Sequence, residues 1–282
     1  MTYARHIELD LSNARRVLVG GDIHGHLPLL TDALDRVGYD AAAGDRLILL
    51  GDLLDRGPDV LEIRDWLDAN PTVATLLGNH CDMLTATVGI TPMDDHAQPV
   101  NLFNNGGRWL LDFAPGHDDV GKLMGDLYEA GTDADRQALF DPRIVDFARR
   151  MAASPIAMTV VTPARNLVGL VHGDVPCTLW AEMIDGLEDP DPEIARHWTR
   201  QCCWSRNRFD RAKRAIVHGT PDPLDFDVGD IDHVFMGHSI TKQPMTAGNC
   251  TWIDTGSYKH SLVTVVDVDT WIAALPANPG AA

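Results

Sequence analysis

The chain has 282 residues, 45% of them hydrophobic, and a formal net charge of −18. That length can bury one large core, while so acidic a surface repels nucleic-acid backbones and anionic lipids and excludes both as main partners. No stretch has the apolar length of a membrane span, and the first residues lack the basic-then-apolar plan of a secretory leader, so a cytoplasmic protein is expected.

Taken in chain order, three aliphatic runs at residues 17–19, 47–50 and 73–77 read as buried strands. Gly21-Asp22-Ile23-His24-Gly25 follows the first, Gly51-Asp52-Leu53-Leu54-Asp55-Arg56-Gly57 the second, and Gly78-Asn79-His80 the third. Glycine suits the sharp turn at a strand end, and ligand sites in open α/β sheets gather at that edge. Asp22 and His24 are two residues apart, a spacing that on an extended segment points both side chains the same way. One carboxylate and one imidazole could then grip a cation, and Asp52 could bridge it to a second.

Next comes a helical stretch. Segments at 98–113, 118–129 and 143–153 have helical length and apolar spacing, so an insertion of about residues 92–155 is expected as a cap beside the metal cleft. Asn105-Gly106-Gly107-Arg108-Trp109 falls within it and is expected to shape the approach to the site. Loop-rich 91–99 and acidic 185–192 read as additions on the rim.

Strand character returns at 167–171, which ends at His172, and at 234–237, which ends at His238; two further runs lie at 249–254 and 261–268. Residues 1–273 are expected to form one domain, with 274–282 as a frayed tail. Six candidate ligands result: Asp22, His24, Asp52, Asn79, His172 and His238. Carboxylate, imidazole and amide donors without thiolate favour Mn, Fe or Zn over a thiolate-rich structural zinc site; Mn is the working choice. Five cysteines with no C-x-x-C pair suggest neither a disulfide framework nor a zinc ribbon. Cys81, next to His80, is a candidate for inhibitory oxidation.

The ordered series from the first glycine motif through Val171-His172-Gly173-Asp174, Trp204-Ser205-Arg206-Asn207-Arg208, Gly237-His238-Ser239 and Ile253-Asp254-Thr255-Gly256 resembles the calcineurin-like metallophosphoesterases. Within them it is most similar to the phosphoprotein phosphatases of the bacteriophage lambda type, from about residue 16 to about residue 269. The resemblance implies an α/β fold, a two-sheet sandwich flanked by helices (α/β/β/α). It implies two divalent ions on either side of a bridging water, the first held by Asp22, His24 and Asp52, the second by Asp52, Asn79, His172 and His238. The resulting hydroxide would attack phosphorus in line. By the same resemblance His80 donates the proton to the leaving alcohol, Asp55 orients that imidazole and raises its pKa, and Arg56 and Arg206 clasp the phosphate oxygens. Arg206 sits among Arg200, Arg208, Arg211 and Arg214, any of which could be a solvated face.

Two positions depart from the family pattern. Cys81 stands where glutamate is usual, and Leu77 stands where an arginine is common, which removes an expected phosphate-binding charge. Leucine there is reminiscent of the symmetrical diadenosine tetraphosphatases. The leading expectation is a metal-dependent serine/threonine protein phosphatase acting on a phosphoprotein or small phosphoester. The alternatives are a nucleotide phosphohydrolase of the diadenosine tetraphosphatase kind and an inactive phosphate-binding scaffold.

Overall fold

A computed structural model describes residues 5–219 and 226–276. Its strands are β1 (His6–Asp10), β2 (Arg16–Gly20), β3 (Asp45–Leu49), β4 (Ala74–Thr75), β5 (Ala157–Val161), β6 (Leu167–Val171), β7 (His233–Met236), β8 (Met245–Ala247), β9 (Cys250–Trp252) and β10 (Val265–Asp267). They form two sheets, one of six strands in the order β1-β5-β6-β7-β9-β8 and one of four in the order β10-β2-β3-β4. β2, β3 and β4 run parallel to one another, as do β6, β7 and β9. Each parallel set therefore ends on a single edge, where the glycine and histidine motifs begin.

Side-chain alternation explains the layering. Val17, Val19, Ile48 and Leu50 of the small sheet share one buried cluster with Met158, Val160, Val168, Leu170 and Phe235 of the large sheet. Their neighbours Leu18, Leu47, Leu49, Val171, Val234 and Met236 point to the opposite faces and pack into a second, larger cluster beneath the helices. A period of two thus serves both a sheet-to-sheet core and two helix-covered faces. Each fully buried aliphatic side chain contributes about 1.5–3 kcal/mol relative to exposure.

The helices are α1 (Leu27–Val37), α2 (Val60–Ala69), α3 (Asn79–Thr87), α4 (Pro99–Asn104), α5 (Val120–Glu129), α6 (Asp133–Ala138), α7 (Pro142–Ala152), α8 (Trp180–Leu187), α9 (Pro192–Trp204), α10 (Asn207–His218), α11 (Ser257–His260) and α12 (Val268–Ala274), with a 3-10 turn at Gly107–Phe113. α7 illustrates how they are specified. Pro142 opens it, the Asp141 carboxylate accepts from the Arg143 amide, and Ile144, Phe147, Ala148 and Met151 form its buried stripe. No helix among the described residues is long and apolar enough to cross a membrane.

Several sequence expectations shift. The 73–77 run pairs as a strand only at Ala74–Thr75, because the Leu77 amide turns away to the Pro155 carbonyl. The 98–113 segment is a short helix and a 3-10 turn separated by Asn105 and Gly106. The supposed rim loop at 185–192 is the end of α8 and the start of α9, which the Asp191 carboxylate caps through the Glu193 amide. β1, β5 and α6 were not anticipated, and residues 277–282 of the expected tail lie outside the described residues.

Candidate active site

The turns after the strands place the candidate ligands by unusual backbone geometry. His24, Asp52, Asp55, Arg56 and His238 all have positive φ, five of only eight such residues other than glycine among the described residues. Left-handed backbone is uncommon outside glycine, although Asp and His adopt it more readily than most, and it concentrates at functional sites. It also corrects the extended reading of Asp22 and His24: His24 has φ 47°, and the chain folds back so that the Ile23 and His24 amides both reach the Asp52 carbonyl. Gly78 is obligatory beside this turn, since a Cβ there would collide with the Asp52 carboxylate and backbone.

Asp52 is the hub. Its Oδ1 accepts from the His80 amide at 2.9 Å, and its Oδ2 lies 3.2 Å from His172 Nε2, 3.8 Å from His24 Nε2 and 3.9 Å from His80 Nε2. Asn79 Oδ1 is 3.1 Å from His172 Nε2. Asp22 Oδ2 is 3.9 Å from His24 Nε2, and both Asp22 oxygens accept from the His238 amide.

Backbone carbonyls fix the rings. His24 Nδ1 faces the Leu54 carbonyl at 3.1 Å, His172 Nδ1 the Leu50 carbonyl at 2.7 Å, and His238 Nε2 the Trp204 carbonyl at 3.1 Å. A ring N–H spent on a carbonyl leaves the other nitrogen's lone pair for the site, a usual arrangement for a metal-binding histidine.

Among the described residues, two groups of side chains could each hold an ion: His24, Asp52 and His80, and Asp52, His172 and His238, with ligand atoms within 4.8 Å in each group. His80 completes the first group, and Asp22 Oδ2 approaches it at 3.9 Å from His24 Nε2. The donor set suits divalent cations in another respect. Asp22, Asp52 and Asp254 are buried together. Burial, followed by the Asp254 and Asp52 charges, pushes the Asp22 pKa well up. Burial works against charge on His172 also, but Asp52 and Asp22 prevail and raise it to about 9. Burial drives the His24 and His238 pKa values well down. Cations would relieve this carboxylate crowding and displace the His172 proton.

Around the hub lies a cleft of about 250 Å³ that includes Arg56, Arg206, Phe209, Ile240 and Tyr258. Arg56 is seated by the segment before the 3-10 turn: its amide reaches the Gly106 carbonyl at 3.1 Å and its Nε the Asn105 carbonyl at 3.3 Å. A Cβ on Gly106 would sit 2.6 Å from Arg56 Cγ. The Arg56 guanidinium donates to His24 Nε2 at 2.7 Å and His80 Nε2 at 2.9 Å. Arg206 Nη2 donates to the His238 carbonyl at 3.3 Å. His80 Nδ1 is 2.6 Å from Asp55 Oδ2, so its Nε2 faces the cleft.

Three neighbours escaped the sequence reading. Trp109 donates to Asp55, Tyr258 stacks on Arg56, and Asp254 lies buried near Asp22 and Asp52. Trp109 and Asp254 fell within motifs already noted; nothing local marked Tyr258. The two departures also change meaning. Leu77 lines a separate cleft of about 290 Å³ with Asp82, Arg196 and Arg200, so the charge absent there is absent from another surface. Cys81 is fully buried and burial pushes its pKa up, which makes it an inert thiol rather than an oxidation switch. Arg208 is occupied in donating to the Val175, Cys177 and Phe226 carbonyls, and Arg108 is exposed.

This arrangement can be set beside known proteins. Residues 15–241 match the family described as calcineurin-like phosphoesterase. The chain belongs to that family. A calcineurin-like phosphoesterase is a hydrolase of phosphoesters with a dinuclear divalent-metal centre, which agrees with the paired ligand groups around Asp52. Serine/threonine-protein phosphatase 1 of Salmonella typhimurium is 27% identical over 269 residues, covering 92% of this chain and 95% of that protein. A symmetrical bis(5'-nucleosyl)-tetraphosphatase of Coxiella burnetii is 33% identical over 88 residues, 31% of this chain and 30% of that one. Among solved structures, a serine/threonine phosphatase from Saccharomyces cerevisiae superposes with TM-score 0.50 at 14% identity, covering 91% of this chain and 73% of its own, which supports the two-sheet fold.

Proposed function

We propose that the protein is a serine/threonine protein phosphatase of the cytoplasm that works with two Mn ions. The observation that carries the reading is Asp52 Oδ2 lying between two sets of imidazole donors, beside a cleft bearing two arginines. Asp22, His24 and Asp52 would hold one ion; Asp52, Asn79, His172 and His238 would hold the other. When bound, the ions supply Lewis-acid activation of the attacking water and the phosphoryl group.

The chain's own residues do the rest. Arg56 and Arg206 bind the non-bridging phosphate oxygens through planar, permanently charged forks. As the bond from phosphorus to the leaving oxygen breaks, the electron pair stays on that oxygen, and His80, able to carry a proton on Nε2 once Arg56 has turned from that nitrogen to the phosphate, gives it that proton. Asp55, against Nδ1, keeps the ring aimed. The five cysteines, all free, accord with a reducing compartment.

Near-complete coverage of the Salmonella phosphatase supports protein as substrate, whereas the Coxiella relative supports a dinucleoside polyphosphate over a shorter stretch. Phosphate release from a phosphothreonine peptide and ADP release from diadenosine tetraphosphate, compared on metal-stripped enzyme reloaded with Mn, separates the two. Faster turnover of the peptide is expected. Selective ADP release would replace protein by nucleotide as the substrate, and no turnover of either would leave the scaffold reading.

A further inference from the structure

Asp55 is held at both ends. One oxygen lies 2.6 Å from His80 Nδ1, and the other accepts the indole N–H of Trp109, also at 2.6 Å. The carboxylate is fully buried. A buried carboxylate with one partner could rotate about its terminal torsion and carry the attached imidazole with it. A second donor stops that rotation, and an indole N–H suits the task because it can only donate.

The route by which Trp109 arrives strengthens the case. It sits in the 3-10 turn that follows Asn105 and Gly106, the two residues whose carbonyls seat Arg56. A single loop thus braces the phosphate-facing guanidinium and the carboxylate behind the imidazole. Trp109 packs edge-on against Phe113, centroids 5.9 Å apart, so its ring is fixed from the far side.

We propose that Trp109 is a positioning residue for proton transfer: its indole N–H locks the Asp55 carboxylate, and through it the His80 ring, in the orientation that delivers a proton to the leaving oxygen. Trp109 exchanges no proton itself. The inference rests on the reading of His80 as the proton donor.

The test compares wild type, Trp109→Phe, His80→Asn and the double variant of the two, each reloaded with Mn, on a phosphoserine peptide and on p-nitrophenyl phosphate. Trp109→Phe keeps an aromatic ring against Phe113 while it removes the N–H donor and part of the indole's volume. It should lower kcat on the peptide about tenfold, leave p-nitrophenyl phosphate within about twofold because that leaving group needs no proton, and leave KM and metal content unchanged. The double variant should lose no more than His80→Asn alone. Should His80→Asn affect both substrates equally, the proton-donor reading fails. Should it discriminate between them while Trp109→Phe does not, the Trp109 inference alone fails.

A second readout does not depend on the variant's folding. In zinc-loaded wild type, the Trp109 indole proton should resonate downfield of an ordinary exposed indole and exchange slowly with solvent. A signal at the free-tryptophan position overturns the inference.

Discussion

The guanidinium carbon of Arg56 lies 4.1 Å from the centroid of the Tyr258 ring. The stacked face leaves the N–H edge of Arg56 turned toward His24 and His80, where a phosphoryl group would bind. Tyr258 is 40% exposed and forms part of the cleft wall. A cation–π contact of this kind contributes about 0.5–1 kcal/mol. Tyr258→Leu should therefore raise KM and weaken inhibition by inorganic phosphate about three- to fivefold with a smaller change in kcat. Steady-state kinetics with phosphate as inhibitor provides the check, and unaltered phosphate inhibition counts against a role for the stack.

Asp52 serves both groups of candidate ligands, so its replacement should damage both. Asp52→Asn should reduce bound metal below two ions per chain and turnover by at least about 100-fold. Elemental analysis after gel filtration, alongside kinetics, measures this. Asn79→Ala should be milder and affect mainly the ion near His172. Two retained ions and normal turnover in Asp52→Asn would remove it from the ligand set.

His233 provides a pH prediction away from the site. It is buried on β7 with Nε2 2.8 Å from Thr251 Oγ1, and burial lowers its pKa to about 4. A histidine whose folded pKa is depressed stabilises fully above its unfolded value, near 6.5, and that contribution is lost as pH falls toward 4. By pH 5 it should account for a loss of about 2 kcal/mol. Urea melts from pH 7.5 to 4.5 should show a decline that His233→Gln flattens; parallel curves for the two proteins would refute it.

Arg208 is buried at 7% exposure, donates to three backbone carbonyls, and lies 3.7 Å from Asp174. Arg208→Met takes the guanidinium from those buried carbonyls and from Asp174, which keeps Ser205 Oγ and the residue-208 amide as donors, and should cost about 3–5 kcal/mol of stability. KM of the remaining folded enzyme should be unchanged. A raised KM without a lower melting temperature would instead indicate contact with phosphate.

What could be read from the sequence is what is local to a strand end. Asp22, Asp52, His172 and His238 each follow an aliphatic run, and a buried strand delivers its last residue to the sheet edge whatever else the chain does. Trp109 and Tyr258 reach the site across long stretches of chain, 54 residues from Asp55 in the first case, so only tertiary packing could disclose their partners. His24 converges with Asp52 by a left-handed turn and not by the extended segment that the spacing suggests. The same limit explains α6, a polar helix with no buried residue and hence no apolar period. Leu77 shows the converse, since its motif context suggested the phosphate site and the early end of β4 sends the side chain elsewhere.

Asp22, His24, Asp52 and Asn79 follow strands of the four-stranded sheet, whereas His172 and His238 follow strands of the six-stranded one. The ion held by Asp52, Asn79, His172 and His238 would take ligands from both sets and rivet the two halves of the sandwich along their open rim. Its binding free energy would then add to the seam itself. A cavity cut into that seam, such as Phe235→Ala, should be tolerated by the loaded enzyme far better than by the stripped one, so that metal supply governs how much packing damage the fold survives.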